Sequence, residues 1–418
     1  MRQALAWDRL YCHCDPQLLG FSNTDELEPL AEHLGQGRAV EALSFGLQIP
    51  HEGYNIFLLG STGVGKRELL ASQLDATSAA PVGEVSDWCY VNNFESPDRP
   101  IGLRLPRGKG TELRSDMAQA VEDLLGVLPA TFQSDEYQAR VQELGEKYQN
   151  REKEAFQALA EKASAENVAM VQTPSGYTLA PMKDGEIFTP QDFESQPEEA
   201  KKHMMEVIES LKEELKVVVR QLPAWKKESR ELFKALNQEF SQLAIEPVMQ
   251  ELKNKYRDYP QVSAYLDTVH RDVMDEAESL TQIKDDSAIP VNLKERVREF
   301  PQYSVNLLVD NQDLPAAPIV YEDSPGFSNL IGRVEHVSQM GTLVTDFSLI
   351  KPGALHQANG GYLVLEADKV LTSPYAWVAL KRALKAQEVR IQSLEQIFSF
   401  VSTVQLQPEP LPLDVKVV

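Results

Sequence analysis

The stretch Tyr54–Arg67, Tyr-Asn-Ile-Phe-Leu-Leu-Gly-Ser-Thr-Gly-Val-Gly-Lys-Arg, constrains this chain more than any other. Ile56–Leu59 is a short apolar run of the kind that forms a strand buried on both faces of a parallel sheet. It leads into Gly60-x-x-x-x-Gly65-Lys66, after which Glu68-Leu69-Leu70-Ala71 suits a helix. Strand, glycine-rich turn and helix, in that order, make a phosphate-binding loop. Gly60, Ser61, Thr62, Gly63, Val64 and Gly65 would curl backbone N–H groups around phosphate oxygens, and the helix N-terminus would add its partial positive charge. Lys66 would reach the β- and γ-phosphates, so the expected ligand is ATP or ADP with Mg²⁺. One position departs from the pattern. The hydroxyl residue that should follow the lysine and hold Mg²⁺ is Arg67, and Glu68 offers no hydroxyl either. Nucleotide binding follows from the pattern; efficient hydrolysis does not.

At 418 residues the chain has room for two or three domains with sizeable cores. Its formal net charge of −22 argues against a general grip on nucleic acid, which needs clustered Lys and Arg to displace counterions. Cys12, Cys14 and Cys89 are too few for a disulfide framework, and Cys12-His13-Cys14 without a second pair is a poor zinc site. No apolar run approaches the roughly 20 residues that span a bilayer, and Met1-Arg2-Gln3-Ala4 lacks the apolar core of a secretory signal. The expectation is a soluble, reduced, cytoplasmic protein.

Along the chain, residues 1–34 read as a lead-in of mixed polarity and 35–111 as the first part of an α/β nucleotide-binding domain. In that part Val40, Leu43 and Leu47 line a helix, a second strand covers Trp88–Val91, and Leu103–Leu105 alternates like an edge strand. From 112 to 290 the composition turns to Glu, Lys, Gln and Ala. Tyr137, Val141, Leu144, Tyr148, Ala155, Leu159 and Ala163 share one helical face, and Met204, Ile208, Leu211, Leu215, Val218 and Leu222 step as a heptad seam. Pro247 should kink or stop the second helix. Between these helices Val168–Thr189 alternates and carries the turn signals Pro174-Ser175-Gly176 and Lys183-Asp184-Gly185, which predicts a small β-hairpin. Helices joined within one chain favour antiparallel packing, so a mostly α-helical, coiled-coil-like arm is expected as an insertion; an intermolecular coiled coil is the competing arrangement. The α/β pattern returns over 291–418, with strands at Ser304–Val309, Ala317–Tyr321, Gly361–Leu365, Val401–Leu406 and Val415–Val418 and a helix over Pro374–Ala386. Because the last strand runs to the final residue, the polypeptide is expected to continue beyond it.

A nucleotide hydrolase needs a second acidic site at the end of a neighbouring strand. Gly361-Tyr362-Leu363-Val364-Leu365-Glu366-Ala367-Asp368 supplies an apolar run followed by acids. If Glu366 is the catalytic acid, Leu365 replaces the metal-orienting aspartate. If Glu366 is at the metal position, Ala367 replaces the catalytic acid, and Asp368 is near enough to serve Mg²⁺. A buried strand ending in a solvated acid is the plainer alternative.

Several further stretches occur in order: Cys14-Asp15-Pro16, Gly35-Gln36-Gly37-Arg38-Ala39, Gly53-Tyr54-Asn55-Ile56, Pro97-Asp98-Arg99-Pro100, Asn329-Leu330-Ile331-Gly332-Arg333, Gly353-Ala354-Leu355-His356, Ala358-Asn359-Gly360-Gly361-Tyr362-Leu363, Leu380-Lys381-Arg382-Ala383 and Pro412-Leu413-Asp414-Val415-Lys416-Val417. With these the chain resembles the bacterial Lon-like AAA+ ATP-dependent proteases, in the soluble branch whose ATPase module carries an insertion. The resemblance implies a P-loop AAA+ fold and a ring homo-oligomer, a hexamer by expectation. It also implies ATP-driven feeding of unfolded or damaged proteins to a C-terminal peptidase domain with a Ser–Lys dyad, which has no counterpart in these 418 residues. Lys66 carries over as phosphate binder and Glu366 as catalytic acid, while Arg67 and Leu365 are departures. Arg333 and Arg382 are candidates for arginine fingers acting across a ring interface, though a structural or surface arginine is the plainer reading of each. His356 is read as bonding its own loop, and Met204, Met205 and Phe188 as residues through which the arm could hold clients. The alternative function is a weakly hydrolysing or ATP-independent scaffold that binds clients through that arm.

Overall fold

The computed structural model describes residues 6–11, 14–27, 36–49, 51, 53–61, 63–77, 84–173, 176–183, 186–188, 197–281, 297–339, 342–392 and 406–418. Cys12, His13, Thr62, the turn residues Pro174, Ser175, Asp184 and Gly185, and residues 401–405 of the expected strand lie outside them.

In chain order the elements are α1 (Gly37–Gln48), α2 (Lys66–Thr77), β1 (Ser86–Val91), β2 (Ile101–Pro106), α3 (Lys109–Phe132), α4 (Asp135–Ala165), β3 (Val168–Thr173), β4 (Gly176–Lys183), β5 (Glu186–Ile187), α5 (Glu198–Lys255), α6 (Pro260–Asp275) and α7 (Ala277–Thr281). Then come β6 (Val305–Val309), β7 (Ile319–Glu322), α8 (Phe327–Ile331), β8 (Arg333–Val334), β9 (Val337–Gln339), β10 (Thr342–Val344), β11 (Ile350–Lys351), α9 (Ala354–Gln357), β12 (Tyr362–Leu365), α10 (Ala367–Thr372), α11 (Ala376–Ala386), β13 (Glu388–Val389), β14 (Leu411–Pro412) and β15 (Lys416–Val417).

The parallel sheet runs β15-β12-β7. Alternation along its strands buries both faces. Tyr362, Val364 and Ile319 turn toward Leu43 and Leu47 of α1 and Leu70 and Leu74 of α2, and Leu363, Leu365 and Val320 turn toward α8, α9, α10 and α11. Gly361 permits the close approach of β12 to the chain before β7, because a Cβ there would stand 2.1 Å from the Pro318 carbonyl oxygen.

The run Ile56–Leu59 departs from expectation. It is extended but is not a strand buried on both faces: Ile56 and Leu58 pack against the α1–α2 cluster, whereas Phe57 is 72 % and Leu59 88 % exposed. It lies at the margin of the sheet beside β15, joined by the Ile56 N–H donating to the Val417 oxygen at 2.9 Å and the Val417 N–H donating to Asn55 Oδ1 at 3.0 Å. The physical reason is coverage: helices lie over one side of this run only.

Trp88–Val91 and Leu103–Leu105 also fall elsewhere than their place in the sequence suggested. β1 sits between β2 and β6 in a separate, antiparallel sheet. One face of it packs on α3, α6 and the second half of α5; the other carries Trp88, Tyr90 and Leu308 onto Phe347, Ile350, Ile391 and Leu411. Asp87, fully buried, joins three segments here. Its carboxylate accepts from the Gly110 N–H (2.9 Å) at the start of α3 and from the Asn311 N–H (3.0 Å) after β6. An anion at a helix start is favoured by the helix dipole.

α4 and α5 form an antiparallel pair, shown by partners whose numbers fall along α5 as they rise along α4: Tyr137 with Asn237, Arg151 with Glu228 and Lys162 with Glu214. Ser134 caps α4 by accepting from the Tyr137 N–H. α5 runs past both Pro223 and Pro247 to Lys255, so Pro247 does not stop it. The residues beyond it are retained by burial of Met249 and Leu252 against α3 and α6, which outweighs the one main-chain bond a proline removes. At the far end of the pair β3, β4 and β5 make an antiparallel sheet. Val168 and Leu179 of that sheet pack on Leu159, Ala163 and Leu211, and Phe156 stacks on Tyr177 with ring centroids 4.4 Å apart.

Candidate nucleotide site

Open parallel sheets bind ligands beyond the carboxyl ends of their strands. In this chain those ends gather the glycine loop, the start of α2 and the acids that follow β7 and β12. Gly63 (φ +82°) and Gly65 (φ +76°) adopt the left-handed conformation that a curled phosphate loop requires. Gly60, Ser61 and Val64 are exposed along the same turn. The Lys66 ammonium donates to the Gly60 carbonyl at 2.8 Å, folding back over its own loop. Lys66 also opens α2, a helix of twelve residues with Leu69, Leu70 and Leu74 anchored in the core, so the loop is attached to a fixed helix start.

Arg67 points away from the loop toward the end of β7. Its guanidinium lies 5.2 Å from the centroid of the Tyr321 ring and 3.7 Å from Asp323 Oδ1. Burial, then the charge of Asp75, raises the Tyr321 hydroxyl pKa, and Arg67 acts in the opposite sense. Glu366 follows β12 and pairs with Lys369 at 3.0 Å. That hydrogen bond is the main cause of the raised Lys369 pKa, with Asp323 and Asp368 contributing. Asp368 is exposed in the first turn of α10. Glu322 accepts from the Ser324 N–H at 2.8 Å.

The structure therefore collects Lys66, Arg67 and the acids Glu366 and Asp368 at one end of the sheet, together with Asp323 and Lys369, which were not singled out in the sequence. Asp323 had a legible signal, since Tyr321-Glu322-Asp323 is another apolar strand ending in acid. Lys369 had none. Arg333 is not part of this group. It donates twice to Glu335 two residues away, at 3.1 and 2.8 Å. Arg382 lies on α11 and donates to Gln392 at 3.4 Å, at the edge of an apolar groove with Phe327, Ile331 and Val378. His356 is buried, with Nδ1 accepting from the Gly353 N–H at 3.2 Å. Burial holds its pKa down at about 3, so the ring is neutral.

A nucleotide's phosphates fit this end of the sheet: exposed loop amides, a helix start and Lys66 converge there. Magnesium does not fit in the usual way. The position that should present a hydroxyl presents a guanidinium, the strand end offers one acid, Glu366, where an acid pair is expected (Leu365 before it, Ala367 after it), and Glu366 is held by Lys369. Among the described residues no three His, Cys, Asp or Glu side chains cluster as a metal site.

Residues 315–418 match the family model described as "LonB-like, AAA domain", and residues 87–120 match that described as "Lon-like LonC helical domain". The first match contains β7, β12, β15 and the acids at their ends, and the second contains β1, β2 and the first half of α3. The loop Gly60–Lys66 lies outside both. No curated protein matches the chain. AAA domains bind nucleotide, and the parallel sheet that carries Glu366 is the part that matches such a domain. Two matches on separate stretches of one polypeptide, both to Lon-like families, support a Lon-like AAA+ protein.

Proposed function

We propose that the chain binds ATP or ADP through residues 60–66 and serves as the nucleotide-binding module of a Lon-type protease, delivering unfolded or damaged proteins to a peptidase. The observation that carries this reading is the convergence of the Lys66 loop with Glu366 at the carboxyl ends of one parallel sheet. In this reading the loop amides and Lys66 neutralise the phosphates. Glu366, once it lets go of Lys369, orients water toward the terminal phosphate, and slow turnover follows from Leu365 and Arg67. Assembly into a ring in the cytoplasm, with Arg333 or Arg382 reaching a neighbour's nucleotide, extends the same reading. The test is equilibrium binding of fluorescent ATP to the full chain. Lys66→Ala is expected to weaken it about tenfold or more, as for loss of a charged hydrogen-bond donor. Equal affinity of the two proteins would overturn the reading.

A second reading is favoured by the helical arm. Its far end leaves Met205 (62 %) and Ile187 (51 %) exposed, and flexible methionines suit varied apolar partners. In that reading the chain holds clients without nucleotide. It predicts that Met205→Ser with Ile187→Ser weakens retention of an unfolded model protein while ATP has no effect on it.

A further inference from the structure

The misfit of magnesium is informative in itself, because the chain supplies cations where the metal's charge would act. In phosphate loops the residue after the lysine carries the hydroxyl that holds the divalent ion. Here that residue is Arg67, the following one is Glu68, and neither has a hydroxyl. A guanidinium stays charged at every physiological pH, is weakly hydrated, and forms paired hydrogen bonds to phosphate.

Two independent placements agree. The contact of Arg67 with Asp323 is long at 3.7 Å and both side chains are well exposed, so the pair is weakly held and open to exchange. Across the same end of the sheet, Glu366 is occupied by Lys369 at 3.0 Å. Two acids at this end of the sheet, Asp323 and Glu366, are thus already matched by cations of the chain itself. A divalent ion entering there would meet the Arg67 and Lys369 charges and would have to displace them.

We propose that this site takes a nucleotide's phosphates without a metal ion, with the Arg67 guanidinium exchanging the Asp323 carboxylate for phosphate oxygens. This rests on the nucleotide reading given above and specifies how that site works. Lys66 and the loop amides hold the phosphates from one side and Arg67 holds them from the side of β7. Asp323 and the Tyr321 ring hold the guanidinium at that edge, from which it would turn to phosphate oxygens. No bond is made or broken in this step.

The test measures binding of fluorescent ATP to the full chain in excess EDTA and in excess Mg²⁺. Wild-type affinity is expected to change less than about threefold between the two conditions. Arg67→Thr, which restores the missing hydroxyl, is expected to lose about tenfold in EDTA, the loss of charge-assisted hydrogen bonds, and to recover on addition of Mg²⁺. Arg67→Lys keeps a charge and should keep metal independence while losing the paired geometry, which separates charge from a folding defect. Thermal unfolding of each variant checks that the fold is intact. Wild-type binding that needs Mg²⁺ by tenfold or more would overturn the inference and leave the nucleotide reading standing. Absence of binding in both conditions would overturn both.

Discussion

The helical half and the parallel-sheet half of this protein are built to different standards. In the helical half, α3, α5, α6 and α7 close over β1, β2 and β6, and Leu113, Leu128, Ile245, Leu266 and Val273 are fully buried in one continuous cluster. In the sheet half, the glycine-rich loop enters from a run joined to β15 by a single main-chain hydrogen bond among the described residues, with two large apolar side chains in water. Exposed backbone hydrogen bonds and sparse apolar burial mark the parts of a protein that open at low free-energy cost. The comparison teaches that the insertion is the more deeply buried frame and the Gly60–Lys66 end the more exposed, adaptable one.

The largest expected effect lies in the frame. Leu125→Ala, in the middle of α3, removes a side chain 1 % exposed and should cost about 2–5 kcal/mol in urea unfolding. A loss below 1 kcal/mol would mean that the helical half is not the stable frame and would break the comparison.

A smaller effect is expected where β15 is tied to α1. The Lys416 ammonium, nearly buried, donates to the Gly46, Leu47 and Ile49 carbonyls at 2.9, 3.2 and 2.5 Å, closing the carboxyl end of α1. That is the end at which a helix favours a cation, although burial lowers the lysine's pKa. Lys416→Met should cost about 1.5–3 kcal/mol and speed amide exchange in α1 while leaving α6 unchanged. Equal acceleration in α6 would show that the two halves open together.

His356 sharpens the comparison through pH. Burial lowers its pKa from 6.5 to about 3, so between those values the unfolded chain binds a proton that the folded chain refuses. The stability contributed by the neutral ring is fully present above pH 6.5 and falls as pH drops toward 3, by at most about 1.4 kcal/mol per pH unit. His356→Gln should flatten the change in urea midpoint between pH 6.5 and pH 5. An unchanged slope would assign acid sensitivity to other groups.

Much of the candidate site was legible because a glycine-rich turn is a local device. The positive φ of Gly63 and Gly65 and the return of Lys66 over the turn follow from their spacing, and β12 with Glu366 follows from an apolar run ending in acid. The antiparallel helix pair was legible too, because periodicity along α4 and α5 shows which faces must be covered. What could not be read was partnership. Trp88–Val91 looks the same whether it joins a parallel or an antiparallel sheet; its pairing with β6, more than two hundred residues away, depends on the whole insertion folding between them. Pro247 looked like a stop because local propensity favours one, and burial of Met249 and Leu252 overrode it. Lys416 reads as an outward charge in an alternating strand until α1 is placed beside it.

The sequence by itself determined the α/β class, the glycine-rich turn before α2, the acid-tipped strand and the antiparallel arm, since each rests on periodicity or conformational need within a few consecutive residues. Only the tertiary structure decided that Ile56–Leu59 is covered on one side, that β1 belongs to a second sheet, and that Arg67 meets Asp323 and Tyr321. Those outcomes depend on which surfaces from distant parts of the chain reach one another, and burial and charge pairing between distant residues leave no local mark in the order of the amino acids.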